Sequence, residues 1–358
     1  MVPKAQDCPA RPAARWARPA DPLAPAGAGT YGLSVLAAAA VTISPSDPLA
    51  GLAVGEQPEP AVPDGWATVS LRAAALNHHD LFSLRGVGLP AERLPMILGC
   101  DGAGVTADGA EVIVHAVIGD PATGGGDETL DPKRTLLSEL HPGTLAERIA
   151  VPTRNLVPKP ASLSWEEAAC LPTAWLTAYR MVFTKAGLPA DGGGTLLIQG
   201  AGGGVATAAL LLAKAAGHTV FVTSRDETKR KRALDLGADV AVESGARLPA
   251  RVDAVIETVG AATWSHSLKS LRPGGTVVCS GATSGPNPPA ELNRIFFLQL
   301  NVVGSTMGTR DELGALVDFL DRTGVRPLVD DVRPLADARA SFARLAEGEV
   351  FGKLVLTV

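Results

Sequence analysis

The stretch TLLIQGAGGGVATAALLLAKAAG (195–217) decides how the rest of the chain is read. A continuous apolar run ends in four glycines within five positions, and an amphipathic helical pattern follows at once. Strand, glycine turn and helix in that order are the context of a dinucleotide fingerprint. Without Cβ atoms the backbone turns tightly, and a pyrophosphate can touch it beside the unpaired N–H groups of the helix start. Read as Gly200-x-Gly202, the motif would end on Val205. Read as Ala201-x-Gly203-x-x-Ala206, it ends on a small residue suited to helix–strand packing, and that register is preferred. Ala201, Gly202, Gly203, Gly204 and Val205 are therefore expected to hold the cofactor.

The next strand-like run, TVFVT (219–223), ends in Ser224 and Arg225. An acid at this point would hold ribose hydroxyls, whereas a hydroxyl and a guanidinium suit a 2′-phosphate. Asp226, before Glu227, reads as a helix N-cap, and Lys229 lies one turn on. The expected cofactor is NADPH.

Outward from this core, strands and helices alternate: DAVIET (253–258), TWSHSLKSL (263–271), TVVCSG (276–281), LNRIFFLQL (292–300) and NVVGST (301–306). Alternation of this kind predicts an α/β fold with a doubly wound parallel sheet. Residues 33–153 are instead rich in short alternating runs, among them LSVLAAAAVTI, WATVSLRAAAL and EVIVHAVI, with a glycine- and acid-rich insert at 119–134. Ser164 and Glu167 form a capping-box pattern before a helical segment, and Pro172 can open a second one that Gly187 ends. The final GKLVLTV reads as a strand that returns to the first domain. The expected divisions are a disordered or non-native extension at 1–30, a catalytic domain at 31–155 and 310–358, and a dinucleotide-binding domain at 156–309.

Composition narrows the function classes. Hydrophobic residues make up 46% and the net charge is −5, so the chain can bury a large core and lacks the basic stripe of a nucleic-acid binder. No apolar run is long enough for a membrane span. Four scattered cysteines without a Cys-x-x-Cys point to a reducing cytoplasm rather than a disulfide framework.

With LNHHDL (76–81), LGCDGAGV (98–105), LPTAWLTAY (171–179), ETVG (257–260), LRPGGTVV (271–278) and GKLVL (352–356) added to the glycine motif, the chain resembles the medium-chain dehydrogenase/reductase superfamily. It looks closest to the zinc-independent quinone oxidoreductase and enoyl-reductase-like branch. The resemblance implies a GroES-like β-rich domain interrupted by a Rossmann domain, and a homodimer that extends the Rossmann sheet through 301–306. Zinc alcohol dehydrogenases of this superfamily place metal ligands where this chain has Asn77, Cys100 and Thr173, a poor N/S set for tetrahedral zinc. No metal is expected; a nonstandard site from His78, His79, Cys100 and Asp101 is the alternative.

Without a Lewis acid, hydride delivery to a carbon already made electrophilic by conjugation is favoured, which points to quinones and α,β-unsaturated carbonyl compounds as small-molecule substrates. The resemblance places Asn77 against the nicotinamide, His78 near the cofactor phosphates and His79 at the hydroxyl position of the zinc enzymes' proton relay. Asp80 would orient a neighbour. Phe82, Cys100 and Thr173 are the expected pocket residues; Phe82 stands where a tyrosine is common in quinone reductases. Thr177, Thr258, Gly260, Ser280 and Gly281 are expected around the cofactor at the strand ends, and Lys353 is expected to reach its phosphates. An alcohol or carbonyl oxidoreductase, or a cofactor-binding protein with little turnover, are the alternative readings.

Overall fold

The computed structural model describes residues 34–358. The expected extension at 1–30 lies outside the described residues.

Six parallel strands form the Rossmann sheet: β1 Thr195–Ile198, β2 Thr219–Thr223, β3 Val240–Val242, β4 Val252–Glu257, β5 Leu271–Cys279 and β6 Asn301–Gly304. Their order is β3-β2-β1-β4-β5-β6, so the chain reverses direction across the sheet beside β1. Ligands of open parallel sheets bind at the carboxyl ends of the strands at such a reversal. β1 and the middle of β4, residues 254–256, are apolar because helices cover both faces. The helix Gly204–Ala215 buries Ala206, Ala209, Leu210 and Ala213, and its alanines let it lie close to the sheet. β3 was not expected from the sequence. It is three half-buried residues at the sheet edge, too short to give a hydrophobic rhythm.

The catalytic domain is built on Trp66–Ala75, which pairs antiparallel with Asp101–Thr106, Arg148–Pro152 and Lys353–Thr357. Alternate apolar residues of that strand face the core, as its pattern predicts. Gly104 allows the close pairing, since a Cβ there would collide with the Ser70 carbonyl. The C-terminal strand thus joins the first sheet as expected, and its other edge carries Val329–Pro334. Leu156–Pro158 also belongs to this sheet, paired with Val112–Val114. A second, three-stranded sheet holds Leu52–Pro58, Ser34–Ala40 and Met96–Ile97.

One long helical segment, Leu171–Lys185, joins the domains and contains π-type turns at Leu171–Trp175 and Arg180–Lys185. It follows the expected capping box, in which Ser164 Oγ accepts from the Glu167 N–H at 3.1 Å and Glu167 Oε2 from the Ser164 N–H at 2.8 Å. Leu171, Trp175, Leu176 and Met181 fill the core between the two sheets. Arg310–Thr323 packs Leu313, Leu316, Val317 and Leu320 into the same core.

Candidate active site

The glycine turn follows β1 directly. Gly200 and Gly202 take φ of +80° and +102°, values that side-chain-bearing residues rarely adopt. Gly203 opens the helix at φ −69°, and nothing lies within 4 Å of where its Cβ would stand. The open ground is therefore at Gly203, while the conformational demand falls on Gly200 and Gly202. Ala201 and Val205 flank this opening and are half-buried. Gly204 packs against the Lys353 stem and Ala174, so the glycine turn, the joining helix and the last strand meet at one point.

Beyond β2, Asp226 Oδ1 accepts from the Lys229 N–H at 2.9 Å and caps the next helix, Glu227–Asp235. Ser224 Oγ accepts from the Asp226 N–H at 3.2 Å. Arg230 donates to the Ser224 carbonyl at 2.7 Å and holds the turn from below. Arg225 is exposed, and its guanidinium makes no hydrogen bond or ion pair among the described residues. Lys229 Nζ donates to the Gly348 carbonyl at 2.7 Å and bridges the domains beside Gly202.

At the ends of β4 and β5, one buried carboxylate organises the loop. Glu257 accepts from the N–H groups of Val259 and Gly260 at 2.8 and 3.0 Å and from the hydroxyls of Thr263 and Ser267. This sets Thr258 and Gly260, the latter at φ +90°, at the cleft edge. Glu257 was not anticipated, because ETVG reads as a strand end without showing how many donors converge on it. Ser280 and Gly281 line a cavity of about 410 Å³ together with Thr129, Arg180, Lys185 and Ser305. Thr177 is buried in the joining helix.

On the catalytic side, LNHHDL forms the start of a helix, His78–Leu84, that the sequence pattern does not announce. Asp80 closes its first turn by accepting from the Asn77 N–H at 2.8 Å, and also accepts from the Gly99 N–H at 3.1 Å. Both bonds are made inside the core, and Asp80 is fully buried. Burial pushes its carboxyl up to about 6, against the pull of His79 and the Asn77 N–H. It orients the turn that carries Asn77 and His79.

Lys353 stands apart from its expected role. Its ammonium is buried and donates to Asp101 Oδ2 at 2.8 Å, Asn77 Oδ1 at 2.7 Å and the Leu76 carbonyl at 2.8 Å. All three donors are spent on protein oxygens, so none is left for a phosphate. The consequence falls on Asn77: with Oδ1 fixed by the ammonium, its Nδ2 is buried and has no partner among the described residues. Thr173 Oγ1, in the joining helix, is likewise buried and unpartnered. A buried polar atom without a protein partner is uncommon and calls for water, an ion or a ligand to complete it.

His78 keeps exposed surface but is crowded from behind. Burial of the ring, with Lys353, Arg85 and Lys229 nearby, holds its imidazole below the ordinary range. The stems of Lys229 and Lys353 also lie against the glycine turn, at Gly202 and Gly204. His79 is partly buried, with Nδ1 at 3.5 Å from Cys100 Sγ. Burial opposes charge on His79, but Cys100, Glu139 and Asp80 outweigh it and raise its pKa. Burial pushes the Cys100 thiol up. Phe82 is only half-buried one turn along the helix.

Asn77, Cys100 and Thr173 fit zinc poorly. Asn77 gives its oxygen to an ammonium, Thr173 offers only a hydroxyl, and one thiol does not make a tetrahedral N/S set. Among the described residues no group of three or more His, Cys, Asp or Glu side chains is placed to hold a metal, the set of His78, His79, Cys100 and Asp101 included. No helix of the described residues is long and apolar enough to cross a membrane.

Two family models match. Residues 63–161 match the alcohol dehydrogenase GroES-like domain and 204–322 the zinc-binding dehydrogenase domain. A solved NAD-dependent alcohol dehydrogenase is 33% identical with a TM-score of 0.82, covering 90% of this chain and 99% of its own. Acryloyl-coenzyme A reductase of Metallosphaera sedula is 28% identical over 86% of this chain and 96% of its own. A 2-octenoyl-CoA carboxylase reductase, solved with NADP and 2-octenoyl-CoA, is 25% identical with a TM-score of 0.83 over 90% of this chain and 87% of its own.

Proposed function

The chain is a medium-chain dehydrogenase/reductase, a nicotinamide-dependent oxidoreductase, and from that premise we propose that it reduces α,β-unsaturated carbonyl compounds or quinones with NADPH and without zinc. The observation that carries this reading is the Asn77 amide: Lys353 fixes its oxygen, and its buried Nδ2 is left free to donate. Bound NADPH supplies the hydride. Asn77 Nδ2 donates to the acceptor oxygen where negative charge develops, in a site where the donor is already oriented. His79 supplies the proton that completes reduction. His78 and Lys229 meet the pyrophosphate, and Ser224 with the exposed Arg225 meets the 2′-phosphate. Relatives named as enoyl-CoA-type reductases support an activated alkene as acceptor.

The NAD-dependent alcohol dehydrogenase among the similar structures favours a second reading, alcohol or carbonyl oxidoreduction. Metal content separates the two. Protein stripped by a chelator and assayed for zinc should still oxidise NADPH with a conjugated enal or a simple quinone. Turnover that follows zinc occupancy, or that appears only with simple alcohols, would sink the first reading.

We further propose a homodimer in the cytoplasm. β6 is an edge strand, with Val302 exposed on it and Phe296 and Phe297 exposed on the helix just before it. An open edge beside bare aromatics is normally covered by another copy or another element. The three described cysteines are free, which suits a reducing compartment. Sedimentation of the protein and of Phe297→Glu tests the dimer; two monomeric samples would refute it.

A further inference from the structure

The loop after Thr135–Leu136 brings to His79 a carboxylate that no sequence motif singles out. Glu139 Oε1 lies 2.9 Å from His79 Nε2. On the other side of the ring, Nδ1 is 3.5 Å from both Cys100 Sγ and Ser138 Oγ. Two features show that the chain makes room for this contact. Ser138 holds a left-handed φ of 64°, uncommon outside glycine, and delivers Glu139 to the ring. Gly88, at φ +79°, lies directly against the carboxylate, and a Cβ there would collide with Oε1. Exposure falls along the series, from 27% for the Glu139 side chain and 22% for His79 to 1% for Cys100.

Resting on the alkene-reductase reading, we propose that Glu139 is the positioning residue for proton delivery: it takes the Nε2–H of His79 and thereby makes Nδ1 the nitrogen that gives up its proton. The Nε2 contact is short and made to a carboxylate, while Nδ1 meets only a thiol and a hydroxyl at 3.5 Å, weaker partners, so the Nδ1 proton is the less firmly held one. Hydride from the reduced nicotinamide forms the new C–H bond at the β-carbon, and the alkene pair moves to leave an enolate. The Nδ1–H bond of His79 then breaks as its proton forms the C–H bond at the α-carbon. The neutral ring keeps Nε2–H on Glu139 and takes up a proton at Nδ1 from water as product leaves. This is the part that a triad carboxylate plays toward its histidine: it sets tautomer and orientation and stabilises the imidazolium without itself reacting. The other titratable groups facing the ring are Cys100 and Asp80.

The test is Glu139→Gln in the full chain, with two readouts. Histidine ¹⁵N spectra of the free protein should show His79 losing its Nε2–H preference and titrating lower. With NADPH and a conjugated enone, kcat should fall about 100-fold with KM nearly unchanged and a larger solvent deuterium effect. Glu139→Asp should recover part of the loss, and Gly88→Ala should reproduce it by displacing the carboxylate. Unchanged His79 spectra, or a loss confined to KM, would overturn the proposal even if the enzyme reduces alkenes. If the wild type reduces no conjugated carbonyl, the functional reading fails, and the spectra still judge whether Glu139 sets the tautomer.

Discussion

Replacing Lys353 with methionine separates two roles for this residue, because each predicts a different loss. The ammonium is buried against Asp101, which is also fully buried, at 2.8 Å. Methionine fills most of the same volume but leaves the Asp101 carboxylate unpaired, and breaking one half of a buried pair costs about 3–5 kcal/mol. With a urea m-value near about 3 kcal/mol/M, the unfolding midpoint falls by roughly 1–1.7 M. Adding Asp101→Asn removes the orphaned charge, so the double variant should regain most of that stability. Activity should stay low in both variants, since the Asn77 oxygen has lost the donor that fixes it. The decisive comparison is with NADPH affinity. If Lys353 instead reached the phosphates, as family resemblance implies, Lys353→Met would weaken NADPH binding while leaving stability nearly intact. That result, measured by urea unfolding and by fluorescence titration with NADPH, would refute the buried, Asn77-fixing role of Lys353.

Other perturbations test other parts of the site. Asn77→Ala should lower kcat about 10²–10³-fold, the scale of losing one oriented donor to a developing oxyanion, with NADPH affinity unchanged in direct titration. Arg225→Ala should weaken NADPH binding about 10- to 100-fold, as expected for one charge-assisted contact, and leave NADH binding as it was. Glu128 supplies a pH test. Burial opposes its charge, yet the His115 ring and the Arg310 N–H outweigh this and bring the carboxyl from 4.5 down to about 2. A depressed carboxylate stabilises the fold above its unfolded value, and that stability is lost as pH falls from 4.5 toward 2. The contribution is at most about 3 kcal/mol. Glu128→Gln should therefore flatten the acid limb of a stability–pH profile, and an unaltered limb would contradict the assignment.

The Rossmann half was legible because its signals are local. The apolar β1 run, the glycines and the Asp226 cap each act within a few residues. What escaped the sequence depends on contacts between distant segments. Lys353 meets Asn77 and Asp101 across 276 and 252 positions, and nothing in GKLVL indicates that its ammonium turns inward. Glu139 approaches His79 across 60 positions, through a backbone turn at Ser138 and a gap at Gly88 that no periodicity announces. Asp80 reads as an orienting group, which its two backbone bonds explain. The helix it starts stays hidden because two histidines and an aspartate at its head carry no apolar rhythm. Leu52–Pro58 is hidden for a similar reason: it ends in polar residues at a sheet edge and gains its register only by pairing with Ser34–Ala40.

Hydride reaching conjugated carbon, with Asn77 rather than a metal steadying the oxygen, is the step on which the proposed function rests. The most direct measurement supplies NADPH deuterated at C4 of the nicotinamide together with a conjugated enal, and locates the label in the product by NMR. Deuterium on the β-carbon of a saturated aldehyde is the predicted result. Deuterium on the former carbonyl carbon, in an allylic alcohol, would contradict it.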